Sequence, residues 1–113
     1  MTSDNLQKID GKIKRIIENY IAKISLYYCI DAIYLFGSFA NGNQTDNSDI
    51  DIAVVSRDIK NEIDDMGKLF ALTRGIDTRI EPHPIHTEEF RNRETPLIEE
   101  IIRTGVPIRI LAP

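Results

Sequence analysis

The hydrophobic positions change period several times along the chain, and each change marks an element. Leu6, Ile9, Ile13, Ile16, Ile17, Tyr20, Ile21 and Ile24 recur at intervals of three and four, the spacing of one helical face. Lys8, Lys12, Lys14, Arg15 and Glu18 fall on the other side as a solvated face, and Ser3 or Asp4 can cap the start. From Ile30 to Phe36 this periodicity gives way to a strand whose apolar end, Ile33-Tyr34-Leu35-Phe36, stops abruptly at Gly37-Ser38. A polar loop from Asn41 to Ser48, built of turn-forming residues, leads to a second strand from about Ile50 to Val55. A helix is expected between Ile59 and Arg74, with Ile63, Met66, Leu69, Phe70 and Thr73 inward and Gly75 ending it. A third strand then spans about Asp77 to Ile85, and Thr87-Glu88-Glu89 reads as a helix start. Thr95-Pro96 opens a short helix that Gly105 closes. Val106 to Leu111 forms a last strand that Pro107 confines to a sheet edge.

This order predicts an α/β (α+β) fold, a small mixed β-sheet with helices packed on one face. The Gly37-Ser38 turn and the start of the second strand then meet at one rim. At 113 residues the expectation is a single domain over 1–113, with one core and no room for a second substrate-binding domain. The formal net charge of −4 argues against a surface built to grip nucleic acid. A nucleotide remains open as a small substrate, because a metal ion neutralises phosphates locally. The single cysteine, Cys29, can form no internal disulfide and reads as a small buried hydrophobe. The first residues lack the apolar segment of a signal sequence, and no stretch approaches the ~20 apolar residues of a membrane span. The expected compartment is the cytoplasm, with no membrane partner.

The chemistry concentrates where the second strand begins. Asp49 and Asp51 stand at i and i+2, on one face of a strand and roughly 6–7 Å apart along the backbone. That spacing lets both carboxylates bracket a pair of hard divalent cations. Gly37-Ser38 offers backbone N–H groups and a hydroxyl to a phosphate chain. Phosphate cradle and metal acids together suit phosphoryl or nucleotidyl transfer. A third acid from the next strand would complete the ion site, and Asp77 and Glu81 both qualify by parity. Glu81, deeper in the strand, is preferred, and the other acid should pair with Arg79 or Arg74. In that arrangement the third acid could also take the proton from an attacking hydroxyl. His83 and His86 read as polar residues at the strand edge.

Gly37-Ser38, ten residues, then Asp49-Ile50-Asp51 resembles the signature of the minimal nucleotidyltransferase family, a branch of the DNA polymerase β-like superfamily. The likeness extends over most of the chain, including Phe39-Ala40-Asn41-Gly42 as the family's short helical turn. The resemblance implies transfer of a nucleoside monophosphate, AMP from ATP, with two Mg2+ ions held by Asp49, Asp51 and Glu81, and with Gly37 and Ser38 on the nucleotide. Glu81 would stand where the family more often has Asp. Many members are antitoxins paired with a HEPN-domain ribonuclease toxin, and some adenylylate a tyrosine on that partner. A protein acceptor is therefore implied here. A non-catalytic antitoxin that neutralises its partner by masking it is the alternative.

Overall fold

The computed structural model describes residues 9–42, 45 and 47–110. In chain order the elements are α1 (Gly11–Ile24), β1 (Ile30–Phe36), α2 (Ser38–Asn41), β2 (Ile50–Ser56), α3 (Glu62–Ala71), β3 (Ile80–His86), α4 (Thr87–Arg91), α5 (Pro96–Thr104) and β4 (Val106–Ile110). The anticipated cap at Ser3 or Asp4, Leu6 and Leu111 lie outside the described residues. Asp10 caps α1 instead, its Oδ1 accepting from Lys12 N–H at 2.8 Å.

The four strands form one mixed sheet in the order β3-β2-β1-β4. β1 runs antiparallel to β2 and β4, whereas β2 and β3 are parallel, which requires the crossover that α3 supplies. Both outer strands carry proline. In β3 the ladder starts with Ile50 N–H donating to Arg79 C=O at 2.8 Å. Alternation then turns the backbone groups of Glu81, His83 and Ile85 toward β2, and Pro82 and Pro84 face the open edge, where no ladder donor is lost. Pro107 likewise sits in the opposite edge strand, β4.

Pleating divides the side chains between two faces. Ile33, Leu35, Ile50, Ile52, Val54 and Ile80 pack with Ile13, Ile17, Tyr20, Ile21 and Ile24 of α1 and Leu69 of α3, each buried isoleucine contributing about 2 kcal/mol. The expected one-sided packing thus holds for the two longest helices. The short α5 adds cover to part of the other face, where Ile98 and Ile101 meet Ala32, Phe36, Ala53, Val55 and Ile85.

Three side chains depart from the sequence pattern. Ile63 is 83% exposed and Phe70 40%, although both match the helical spacing for burial. Asn61 caps α3, accepting from Asp64 N–H at 3.0 Å, and the helix turns Asp65 and Leu69 inward instead. Cys29 is exposed, because its backbone is held at a loop: its N–H donates to Asp58 Oδ2 at 2.7 Å and its C=O accepts from the buried Ser56 hydroxyl at 2.7 Å.

Asp65 is buried because three donors meet it. Tyr28 O–H donates to Oδ1 at 2.7 Å, and Lys60 N–H and Asn61 N–H donate to Oδ2 at 2.8 and 3.0 Å. Burial pushes this carboxyl up, but the three donors outweigh it and hold it below its ordinary 3.8. A folded-state value below the unfolded one stabilises the fold above the unfolded value, and that stabilisation disappears as pH falls through the folded one. Asp65→Ala should therefore cost about 2–3 kcal/mol in urea denaturation at pH 7, with the gap from wild type narrowing below about pH 4. A cost under about 0.5 kcal/mol at pH 7 would contradict this account.

Candidate functional site

The second face of the sheet carries the chemistry. Phe36 pairs with Asp51, and Asp51 pairs with Glu81 across the parallel ladder. The end of β1, the start of β2 and the start of β3 are therefore level at one rim. His83 lies two residues along β3 from Glu81 and shares its face. Asp51, Glu81 and His83 each offer a ligand atom within 4.8 Å of the others. His83 Nε2 lies 3.1 Å from Asp51 Oδ1 and 3.9 Å from Glu81 Oε1. The imidazole rests edge-on against Phe36, with centroids 4.9 Å apart and planes at 63°, and its Nε2 is within hydrogen-bond distance of Asp51 Oδ1.

Asp49 precedes β2 and is exposed. It falls outside the close triplet, with its carboxyl near enough to Glu81 to act on it electrostatically. Gly37 closes the rim on the β1 side with φ +74°. A Cβ at Gly37 would collide with Asp51 Oδ2, so the turn and the acid are in direct juxtaposition. Ser38 follows as the first residue of α2, half-buried. Asp77 does not join the group. It precedes β3 and chelates Arg79, accepting from its N–H at 2.8 Å, its Nε at 3.1 Å and its Nη2 at 3.0 Å. The Arg79 hydrogen bonds hold the Asp77 carboxyl below its ordinary range despite partial burial.

Glu81 shows the electrostatic character of the rim. Its carboxyl is pushed above the ordinary range, first by burial, then by the Asp49 carboxyl and the negative charge of Asp51, with His83 opposing. Three carboxyl groups held this close repel one another unless a cation or proton intervenes. Hard oxygen donors around that excess of negative charge fit divalent cations such as Mg2+, and Asp49, Asp51 and Glu81 are the residues that could hold them.

His83 is the participant that sequence reasoning missed. The signal was its i+2 relation to Glu81, the same parity that links Asp49 to Asp51. The neighbouring prolines and His86 made the segment look like an irregular edge. His86 stands apart from the rim and caps α4, its Nδ1 accepting from Glu88 N–H at 3.0 Å. Between α3, the edge of β3 and α5 lies a cleft of about 350 Å³. His83 lines this cleft as well as the carboxylate rim, together with Met66, Pro84 and Leu97.

The chain is similar to proteins described as nucleotidyltransferases. The profile of the family described as polymerase beta, nucleotidyltransferase matches residues 11–110. The protein adenylyltransferase MntA of Shewanella oneidensis is 30% identical over 96 residues, which cover 85% of this chain and 61% of MntA. The chain thus spans about three fifths of the length of that curated relative. A crystal structure of a candidate nucleotidyltransferase from Sulfolobus solfataricus superposes with TM-score 0.55 at 25% identity, over 94% of this chain and 84% of that one. A toxin–antitoxin complex crystallised with AMP-PNP superposes with TM-score 0.53 at 27% identity, over 89% of this chain and 73% of that one. Among the described residues no helix is long and apolar enough to cross a membrane.

Proposed function

Because the chain belongs to the polymerase beta nucleotidyltransferase family, we propose that it transfers AMP from ATP to a hydroxyl of a protein partner, a HEPN-domain toxin that it thereby silences. The observation that carries the reading is the rim itself, where Gly37 abuts Asp51 and Asp51 converges with Glu81. The protein acceptor draws support from the relative described as a protein adenylyltransferase and from the neighbour found in a toxin–antitoxin complex.

In this reading Ser38 and the N–H groups of the Gly37-Ser38 turn hold the terminal phosphates. Two Mg2+ ions bound by Asp49, Asp51 and Glu81 would neutralise the triphosphate and stabilise charge on the attacking and leaving oxygens. The acceptor oxygen attacks the α-phosphorus, a new O–P bond forms, and the bond to pyrophosphate breaks. In this reading Glu81 also takes the acceptor's proton. The compartment consistent with such a partner is the cytoplasm.

Incubation with a HEPN-domain protein as the acceptor, Mg2+, and ATP labelled at either the α- or the γ-phosphate tests this. Label should enter the partner from α-labelled ATP and not from γ-labelled ATP. Transfer of the γ label would mean phosphorylation. Neutralisation of the partner that survives Asp49→Ala and Asp51→Ala, without transfer, would mean masking.

A further inference from the structure

We propose that His83 is itself a metal ligand of this rim, and that its imidazole biases one of the two cation positions toward a first-row transition-metal dication over Mg2+. The inference rests on the reading of Asp51 and Glu81 as metal ligands and adds a donor that the acidic pattern alone does not contain. Two ligands on one dication at about 2.1–2.2 Å lie about 3 Å apart when cis and a little over 4 Å when trans. In the metal-free protein His83 Nε2 is within hydrogen-bond distance of Asp51 Oδ1, at 3.1 Å, and lies 3.9 Å from Glu81 Oε1, so this nitrogen is at separations from both carboxylates that one dication can span. The ring lies edge-on against Phe36 with its Nε2 toward Asp51, and β3 carries it on the same face as Glu81. The imidazole is therefore a pre-oriented donor.

The donor set decides the cation. Mg2+ is hard, sheds water reluctantly and takes oxygen almost exclusively. An imidazole nitrogen instead raises affinity for d-block dications, increasingly so along the Irving–Williams order. Two carboxylates with one imidazole make a mixed set that Mg2+ uses poorly and Mn2+ or Co2+ uses well.

Mn2+ is the probe, because its electron spin reports both binding and ligand identity without turnover. The whole chain is titrated with Mn2+, alone and with ATP, and the bound ion is examined by pulsed electron paramagnetic resonance for nitrogen hyperfine coupling. The chain has two histidines, which makes the assignment direct. Wild type and His86→Asn should show the coupling, and His83→Asn should bind Mn2+ without it. Competition should need at least about tenfold more Mg2+ to displace Mn2+ from wild type than from His83→Asn, a difference of about 1.4 kcal/mol. Mn2+ that binds wild type with no nitrogen coupling, or coupling that persists in His83→Asn, overturns the assignment of His83 and leaves the carboxylate centre standing. Failure of wild type to take up Mn2+ or Mg2+, even with ATP, overturns the metal centre and His83's place in it together.

Discussion

Asp51→Asn should lower nucleotidyl transfer by about 10³-fold or more, equivalent to about 4 kcal/mol of transition-state stabilisation, in a protein that folds at least as well as wild type. The two halves of that expectation have one cause. Asp51 sits between Gly37, Glu81 and His83, so its charge is felt by every group at the rim. An amide keeps the volume and removes the charge. The ability to anchor a cation is lost with it, whereas the repulsion that pushes Glu81 up is relieved.

Glu81→Gln extends the argument and fixes its sign. A carboxyl whose folded-state value is raised favours the folded state most when protonated. Its ionisation, as pH rises through its ordinary 4.5 and then through the raised value, takes stability away. At pH 7 the ionised Glu81 therefore destabilises the metal-free protein. Its side chain is 41% exposed, so solvent screening reduces the effect to about 0.5 kcal/mol. Glu81→Gln should raise the melting temperature of the metal-free protein by about 2–4 °C and abolish transfer. Scanning calorimetry at pH 7 and again near pH 4 checks the stability half, since the gain should vanish at the lower pH, and the α-label assay checks the other. A variant less stable than wild type at pH 7 would show that the acids at this rim do not strain the fold.

What was legible in the sequence follows from how local each signal is. β1 and β2 were visible because β-branched and aromatic runs end at Gly37 and begin at Asp49, so both ends were marked by residues with restricted roles. The edge position of β4 was readable from Pro107, since a proline cannot serve an inner strand. The inward face of α3 was not readable. Periodicity ranks Ile63 above Asp65 for burial, yet Asp65 takes the interior because Tyr28 O–H and two backbone N–H groups converge on it. Those donors come from the α1–β1 and β2–α3 connections, and nothing within α3 announces them. The rim shows the same division. Asp49 and Asp51 stand out by spacing alone. The level of Glu81 with Asp51 depends on the parallel register, and Asp77, which matches Glu81 by parity, is set apart from the rim by its chelation of Arg79. His83 acquires meaning only from that register and from the Phe36 ring beside it.

Gly37→Ala should separate the two things this glycine does. The residue sits at φ +74°, where a Cβ costs about 1 kcal/mol or more. It also adjoins Asp51 so closely that a Cβ would overlap Oδ2. Gly75 offers a positive-φ glycine away from the rim, with φ +80° and nothing within 4 Å of a Cβ. Gly75→Ala should therefore lose about 1 kcal/mol of stability and keep its transfer rate, because the α3–β3 turn is not part of the rim. Gly37→Ala must do more than that. Either the Asp51 carboxylate swings away from Glu81 and His83, or the Gly37-Ser38 turn retreats from the β2 start. In both cases an acid or a phosphate donor moves by about 1 Å, and displacements of that size cost about 100-fold in rate when the reacting groups are otherwise held in place. Transfer by Gly37→Ala should fall at least that far, with a stability loss equal to or above that of Gly75→Ala in urea denaturation. Equal transfer rates for the two alanine variants would show that the close approach of Gly37 to Asp51 has no part in catalysis, and that this glycine serves the turn alone.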